Sequence, residues 1–408
     1  MSKDLHEKAL AYHQEGKPGK LDVTSHKKLD NDQDLSLAYS PGVAAPVREI
    51  VKDQSNVNQY TIKGNLVAVI TDGSAVLGLG NVGPLAAKPV MEGKAVLFKH
   101  FAGINVFNIE LDTQDVDEIV STIKNIAPTF GGINLEDISA PRCFEIERRL
   151  IDELDIPVFH DDQHGTAIIV AAGLLNALEI QGKSVSSAKI VVAGGGSAGI
   201  ATLDLLLNLG FKKENMILVD RRGVVSIAQM SVVNKYKAAF AVDTDKKTLA
   251  DALDGADVFI GVARGNLVTK KMVKSMAKNP IVFALSNPDP EISVEDVFAC
   301  RDDAVMATGR SDFPNQVNNV LGFPYIFRGA LDANSKIINT EMKVAAVHAI
   351  KDIAKLPVPQ SLLEIYQVDE LSFGRDYFIP KPFDPRLIDL IPKAIFDAAV
   401  KTGVARLK

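Results

Sequence analysis

Two pairs of acidic residues follow short apolar runs between residues 134 and 164 of this 408-residue chain. Glu136-Asp137 ends one run, and Asp161-Asp162 ends the next. If both runs are strands, the four carboxylates meet in space and repel one another unless a cation lies between them. Such oxygen ligands suit Mg²⁺ or Mn²⁺ better than a soft metal. Each pair alone could be a solvated acidic turn, but together they favour a metal site.

Two residues elsewhere have side chains that could transfer protons. Lys94 lies among the apolar residues of the run 91–98, where burial could lower its pKa and suit it to act as a general base. Many such lysines instead extend to solvent. Tyr39 precedes a Ser-Pro-Gly turn and could donate a proton, although a tyrosine there is more often simply packed.

His160 and His164 are four residues apart, a spacing found at zinc sites. The residues between them do not form the His-Glu-x-x-His pattern, and Gly165 follows directly, which argues against one helix through both histidines. Zinc is therefore disfavoured.

A glycine-rich segment after the predicted strand 189–193 indicates a dinucleotide site. Its pattern lets the backbone approach a pyrophosphate and places a helix N-terminus against it. Asp220 ends the next predicted strand, about 20 residues on, where a ribose-binding acid is expected. The residues assigned to the nicotinamide cofactor here are Gly194, Gly196, Ser197, Ala198, Gly199 and Asp220.

The choice between NAD and NADP stays open. Asp220 would accept hydrogen bonds from the ribose and repel a 2′-phosphate, which favours NAD. Arg221 and Arg222 follow at once and could bind that phosphate, or could be a solvated turn.

A second Gly-x-Gly-x-x-Gly pattern, at residues 78–83, is interpreted as a tight loop on the substrate side. Pro84 and Pro89 follow it, and we expect them to prevent a long helix from beginning there.

Amide side chains follow two later segments. Asn287 comes after the predicted strand 281–285, and Asn318 and Asn319 form a pair in a turn. Amides both donate and accept hydrogen bonds, so they suit a carboxamide, hydroxyl or carboxylate of a ligand. Asparagines that cap helices or form turns are an equal alternative.

The bulk properties limit the class of protein. The apolar content of 47% and charged content of 24% are those of an ordinary globular protein, and the net charge of −6 argues against a nucleic-acid surface. Only Cys143 and Cys300 are present, which suggests a reducing compartment. The N-terminal residues lack a signal-peptide core, and no apolar run is long enough to span a membrane. We expect a soluble cytoplasmic protein.

Strand and helix patterns alternate along the chain, which indicates an α/β fold of two domains. We expect a smaller α/β substrate domain over residues 1–160 and a Rossmann-type, doubly wound parallel-sheet cofactor domain over 161–408 with closing C-terminal helices. The active site would lie in the cleft between them. Strands are predicted at 65–72, 104–109, 189–193, 216–219, 258–262, 281–285 and 304–307, helices at 3–15, 46–60, 115–130, 166–180, 340–355 and 385–402, and an extended run at 35–40.

The motifs taken together resemble malic enzyme of the short bacterial type. They are AYSPGVA (38–44), TDG (71–73), LGLGNVG (77–83), NLED (134–137), FHDDQHGT (159–166), LSNP (285–288) and NN (318–319). The resemblance covers essentially the whole chain in the right order, and it implies NAD(P)-dependent oxidative decarboxylation of (S)-malate to pyruvate and CO₂ with Mg²⁺ or Mn²⁺.

The resemblance also implies roles for individual residues. Lys94 would take the malate hydroxyl proton with Asp161 as its charge partner, and Tyr39 would protonate the enol. Asn287, Asn318 and Asn319, with Lys94, would contact substrate, and Asn287 the cofactor as well. The implied metal ligands are Glu136, Asp137 and Asp162.

Two departures from the family pattern stand out. Longer members carry a carboxylate-binding arginine where this chain has Ala75, and Arg142 is suggested as its replacement. Some bacterial relatives extend into an acetyltransferase-like domain, which we expect this chain to lack.

The resemblance suggests a homodimer but leaves open whether Tyr39 acts on the partner's site. Two rival functions are a malic-enzyme-like oxaloacetate decarboxylase with weak or no malate oxidation, and a non-catalytic nucleotide sensor. The retained proton-transfer residues argue against the sensor.

Overall fold

A computed structural model describes residues 3–76 and 78–407. Leu77, which belongs to the second glycine-rich loop, lies outside the described residues. The strands are β1 (Leu66–Thr71), β2 (Asn105–Glu110), β3 (Gly132–Leu135), β4 (Val158–His160), β5 (Ile190–Ala193), β6 (Met216–Asp220), β7 (Gly223–Val224), β8 (Val258–Gly261), β9 (Ile281–Ala284) and β10 (Val305–Thr308).

The α-helices of the first half are α1 (Lys3–Gln14), α2 (Asp32–Ala38), α3 (Ala44–Lys52), α4 (Val57–Tyr60), α5 (Pro84–Ala102), α6 (Val116–Ile126), α7 (Arg142–Glu153) and α8 (Thr166–Ile180). Those of the second half are α9 (Ser197–Asn208), α10 (Lys235–Ala238), α11 (Leu249–Leu253), α12 (Lys270–Ser275), α13 (Val294–Phe298), α14 (Phe323–Asp332), α15 (Thr340–Ile353), α16 (Gln360–Tyr366) and α17 (Arg386–Lys401). No helix of the described chain is long and apolar enough to cross a membrane.

The first sheet is parallel, with strand order β2-β1-β3-β4. Strands β1, β3 and β4 are wholly buried, as their continuous apolar sequences predict. The register pairs Ile70 with Leu135 and Leu135 with His160, so the three strands end together. Residues that directly follow them therefore share one edge of the sheet.

The second sheet has the order β10-β9-β8-β5-β6-β7, in which only β7 is antiparallel. This is the order of a doubly wound dinucleotide-binding sheet, with its switch point between β5 and β8. The predicted fold class is confirmed.

Helix α8 joins the two sheets. It begins directly after the turn that follows β4, and eleven of its fifteen residues are buried. Apolar side chains of both sheets pack in one continuous core around it and around the C-terminal helices. The ring of Phe98 on α5 contacts Phe323 and Phe327 on α14, at centroid distances of 4.7 and 5.3 Å. The two halves are thus packed together through the region of the predicted site.

Two local predictions are wrong. The predicted extended run 35–40 is largely helix α2, because the side chain of Asn31 caps the first turn by accepting from the backbone N–H of Asp34. The long helix α5 begins immediately after the second glycine-rich loop, although Pro84 and Pro89 were expected to prevent it.

Both prolines fit α5 for physical reasons. Pro84 occupies the first helical position, where no N–H donor is needed. Pro89 lies near the start of the helix, and the carbonyl that loses its N–H partner is that of Leu85, a residue that is 86% exposed to solvent. The loop at residues 78–83 therefore connects a strand to a helix, as the first fingerprint does.

Candidate active site

The ends of β3 and β4 bring three carboxylates into one cluster. Glu136, Asp137 and Asp162 each offer an oxygen within 4.8 Å of the others. Asp137 adopts a left-handed backbone conformation, with φ of 54°, which aspartate tolerates better than most residues. Its N–H donates to the Asp162 carboxylate at 2.8 Å. This hydrogen bond ties the two acidic segments together.

Lys94 projects from α5 into the same cluster. Its ammonium nitrogen lies 2.6 Å from Asp161 Oδ2 and 2.9 Å from Glu136 Oε1, and it also faces the ring of Phe323 at 4.2 Å. All three charged side chains are buried. The structure therefore unites Lys94 with both predicted acidic pairs.

The pKa values of the clustered groups reflect burial and the mutual repulsion of neighbouring carboxyl groups. Burial and the neighbouring aspartates raise the pKa of Glu136 well above its usual range despite Lys94, and burial likewise raises that of Asp161. Burial alone would lower the pKa of Lys94, but the attraction of Asp161 and Glu136 outweighs it and raises the pKa. The expectation of a lowered lysine pKa is wrong for this arrangement.

One ammonium group thus pairs with two of the four carboxyl groups, and a divalent cation would relieve the remaining repulsion. Three of the four carboxylates lie close enough together to bind one ion, and all offer hard oxygen ligands. The residues present fit Mg²⁺ or Mn²⁺.

A π-helical turn, Asp161–Gly165, joins β4 to α8 and presents its two acids in different directions. Asp161 meets Lys94, whereas Asp162 meets Asp137. A Cβ at Gly165 would lie 1.9 Å from Asp161 Oδ1, so only glycine leaves room for that carboxylate.

Asn319 belongs to this group, and Asn318 occupies a different position. The Asn319 amide donates to Asp161 Oδ2 at 3.1 Å and accepts from the Thr166 hydroxyl at 3.1 Å. The Asn318 side-chain oxygen instead caps a short 3₁₀ turn by accepting from Val320 N–H at 3.0 Å. The capping alternative thus describes Asn318.

The two histidines do not converge on a metal position. His164 Nε2 bonds to the carboxylate of Glu147 at 2.9 Å, and His160 is fully buried beneath the cluster. The structure gives no support to zinc.

The fingerprint Gly194–Gly199 joins β5 to α9 as the sequence predicts. Gly194 has φ of 125°, and a Cβ there would lie 2.6 Å from the Val262 carbonyl oxygen at the end of β8. A Cβ at Gly199 would lie 1.8 Å from the Gly194 carbonyl oxygen. These glycines open the switch point for a pyrophosphate, with Gly196 at the N-cap and Ser197 and Ala198 in the first turn of α9.

Asp220 ends β6, but its carboxylate is already paired. One oxygen lies 2.7 Å from the ammonium of Lys237, and the other accepts from Arg222 N–H at 2.8 Å. Lys237 also lies against the glycine loop, because a Cβ at Gly195 would be 2.7 Å from its Cε. Sequence reasoning missed Lys237, since nothing distinguishes it from the solvated lysines around it.

Asn287 lies where the two halves touch. A Cβ at Gly78, in the loop of the first half, would be 2.6 Å from the Asn287 carbonyl oxygen, and one at Gly309 would be 2.8 Å from its amide nitrogen. The second glycine-rich loop thus lies against a turn of the cofactor half.

Arg142 is paired within the protein. Its guanidinium donates to the buried carboxylate of Asp72 at 2.8 Å, to the Ser74 hydroxyl at 3.0 Å and to Gln114 at 3.1 Å. These bonds brace the segment next to Ala75, whose N–H donates to the Asp137 carbonyl. Arg142 therefore stabilises this loop, and its guanidinium has protein partners without a substrate carboxylate.

Tyr39 is not brought to this group within one chain. It lies at the C-cap of α2, and 72% of its surface is exposed. The hydrogen bonds of the described segment 30–43 join only residues between 30 and 47. Tyr39 is therefore largely exposed, whereas only 10% of the Lys94 side chain is exposed.

Comparisons with known proteins agree with this architecture. The family described as "Malic enzyme, N-terminal domain" matches residues 18–151, and "Malic enzyme, NAD binding domain" matches 163–373. The NADP-dependent malic enzyme of Halomonas elongata is 59% identical, over 98% of this chain and 94% of that protein.

Two further matches bear on length and fold. The NADP-dependent malic enzyme of Rhizobium meliloti is 55% identical over 98% of this chain, which spans only 53% of that relative. The crystal structure of malic enzyme from Pyrococcus horikoshii superposes with a TM-score of 0.90 at 43% identity, covering 99% of this chain and 92% of that one.

Gly165→Ala tests the packing of the π-helical turn. The added methyl group must displace the Asp161 carboxylate from Lys94, which we expect to cost about 1–3 kcal/mol of unfolding free energy. Turnover should fall by on the order of tenfold or more, because the charge pair is misplaced. Urea unfolding and steady-state assays measure both. Gly374→Ala is the control, since a Cβ there meets only one atom, at 3.9 Å. Equal behaviour of the two variants would contradict the account.

Proposed function

The chain belongs to the malic enzyme family, and on that premise we propose that it oxidatively decarboxylates (S)-malate to pyruvate and CO₂ with reduction of NADP⁺. The observation that carries the proposal is the buried Lys94 between Asp161 and Glu136, beside three clustered carboxylates. We place the reaction in the cytoplasm, which agrees with two free cysteines.

Glu136, Asp137 and Asp162 would hold Mg²⁺ or Mn²⁺, which when bound supplies Lewis-acid polarisation of the substrate oxygen. Engaging Glu136 in this way would remove one of the two attractions that raise the pKa of Lys94. The pKa of Lys94 would then fall, which makes the neutral form that accepts a proton more accessible, with Asp161 still orienting it.

We assign the proton transfers to Lys94 in this site and to Tyr39, which the proposed dimer below would supply. Neutral Lys94 accepts the C2 hydroxyl proton as hydride leaves C2 for the nicotinamide ring, which gives oxaloacetate. The bond between C3 and C4 then breaks and CO₂ departs, its electron pair forms the C2–C3 double bond, and Lys94 returns its proton to the C2 oxygen to give the enol. Tyr39 donates a proton to C3 while Lys94 takes back the C2 hydroxyl proton, which gives pyruvate and leaves the proton on Lys94 to restore Tyr39. Asn319 holds Asp161 in place, and Asn287 and Asn319 provide amides for substrate and cofactor.

An oxaloacetate decarboxylase without malate oxidation is not favoured. It has little need of a cofactor site, yet the glycines of the first fingerprint have the conformation and close approaches that dinucleotide binding requires.

Lys94→Ala tests the catalytic assignment. With malate, Mn²⁺ and NADP⁺, the absorbance of NADPH should rise for the wild type. The variant should be slower by on the order of 10²- to 10⁴-fold, because it lacks the proton acceptor. Lys99→Ala, an exposed lysine on the same helix, is the control and should retain full activity. Near-normal turnover of Lys94→Ala would remove Lys94 from this role.

The proposed preference for NADP⁺ rests on Lys237. Its ammonium neutralises Asp220, the acid that would otherwise repel a 2′-phosphate, and it lies against the glycine loop. Together with Arg222 N–H, it outweighs burial and lowers the pKa of Asp220. The charge of the site therefore suits a phosphate better than Asp220 alone would.

Lys237→Ala should weaken NADP⁺ selectively. Loss of a charge-assisted contact of about 1.5–3 kcal/mol should raise the KM for NADP⁺ about 10- to 100-fold. The KM for NAD⁺ should change little or fall, because Asp220 becomes free to bind the ribose. Lys235→Ala on the same short helix is the control. A parallel loss with both cofactors would contradict the assignment.

We further propose a homodimer in which Tyr39 serves the partner's site. Helices α1–α4 contain no buried residue, and their exposed apolar side chains include Leu35, Leu37, Val47 and Val51. An apolar surface of this kind favours association with another protein surface, and a second copy presents the same surface in return. The site, which lacks Tyr39 in one chain, would be completed by that exchange.

Mixing two inactive variants tests the shared site. When Tyr39→Ala and Lys94→Ala are refolded together, half of the dimers should be mixed, and one site of each mixed dimer has both residues. Activity should return to about one quarter of the wild-type value. Each variant refolded alone is the control. No recovery, with mixed dimers demonstrated by mass, would place Tyr39 in its own chain's site.

A further inference from the structure

Glu147 is a buried carboxylate that the proposed reaction does not use. It lies in the middle of α7, and only 6% of its surface is exposed. Its carboxylate accepts from His160 N–H at 2.9 Å and bonds to His164 Nε2 at 2.9 and 3.0 Å from its two oxygens. A single side chain thus contacts the backbone before the acidic pair and the side chain after it.

Along the sequence, the two contacts lie on either side of Asp161 and Asp162, the residues to which we assign roles in the reaction. His160 directly precedes Asp161, and His164 lies in the π-helical turn after Asp162. A π-helical turn is uncommon, because its hydrogen bonds are less favourable than those of an α-helix. This turn therefore depends on outside contacts, and Glu147 supplies one at each end.

The ionised form of Glu147 is stabilised by neighbouring side chains of the fold. Burial opposes its ionised form, but His164 and Lys343 on α15 outweigh burial and lower the pKa of Glu147 to about 2. Lys343 in turn faces Asp204 on α9 as well as Glu147. Residues from α7, α9 and α15 are thus arranged around the end of β4, where both halves of the protein meet.

We infer that Glu147 is a positioning residue for the metal and for the base. Through His160 N–H and His164, it holds the turn in which Asp162 faces Asp137 and Asp161 faces Lys94. The inference rests on the proposed function. Residues that orient metal ligands from behind commonly change metal affinity about 10- to 100-fold when they are replaced.

Direct Mn²⁺ binding to the full-length protein tests the inference without relying on activity. The dissociation constant is measured by electron paramagnetic resonance of free Mn²⁺ for wild type, Glu147→Leu and Glu147→Gln. Glu147→Leu should bind Mn²⁺ about 10- to 100-fold more weakly. Glu147→Gln should recover part of this loss, because its amide oxygen can still accept from His160 N–H. Glu145→Gln, two residues away and exposed, is the matched control.

A second readout separates positioning from general destabilisation. At saturating Mn²⁺, kcat of Glu147→Leu should remain reduced, because Asp161 no longer orients Lys94. Glu147→Leu with wild-type Mn²⁺ affinity and kcat, even at a lower melting temperature, would overturn the inference. If that variant does not fold, Glu147→Gln and His164→Asn carry the test, and wild-type affinity in both overturns it. Failure of the wild type itself to bind Mn²⁺ would instead refute the proposed function.

Discussion

The structure depends on one electrostatic constraint, which is the confinement of four carboxyl groups in a cluster where a single ammonium group, that of Lys94, pairs with two of them. Glu136, Asp137, Asp161 and Asp162 follow two adjacent parallel strands, and Lys94 reaches them from α5. Buried like charges are costly unless they are paired. Lys94 offsets part of that cost, and we propose that the remaining negative charge gives the cluster affinity for a divalent cation.

The rest of the fold holds this cluster against its own repulsion and directs it toward the cofactor half. The buried parallel strands set the register of the acids, and α8 carries the chain from the cluster directly into the core that both sheets share. The glycine fingerprint lies at the switch point of the second sheet, and the loop at Gly78 touches the turn at Asn287. The acidic cluster and the glycine fingerprint are therefore linked through packed backbone, which agrees with the proposal that proton transfer and hydride transfer act on one substrate.

Much of this was predictable because it is local in sequence. Strand alternation, the fingerprint after β5 and the acids after β3 and β4 each appear within a short segment, and the sheet order then brings them together. What was missed depends on distant partners. Asp220 is neutralised by Lys237, and the pKa of Lys94 rises because of carboxylates far along the chain. The exposed position of Tyr39 also has no local signal, since the apolar residues around it would look the same in sequence if they packed within the chain.

The central claim is that the acidic cluster is a divalent-cation site, and a direct titration of the metal-free protein with Mn²⁺ tests it most simply. The account predicts one site per chain in the wild type, and marked weakening of that site in Asp162→Asn, which replaces a charged oxygen ligand with an amide. Absence of any such site in the wild type, or unchanged affinity in Asp162→Asn, would contradict it.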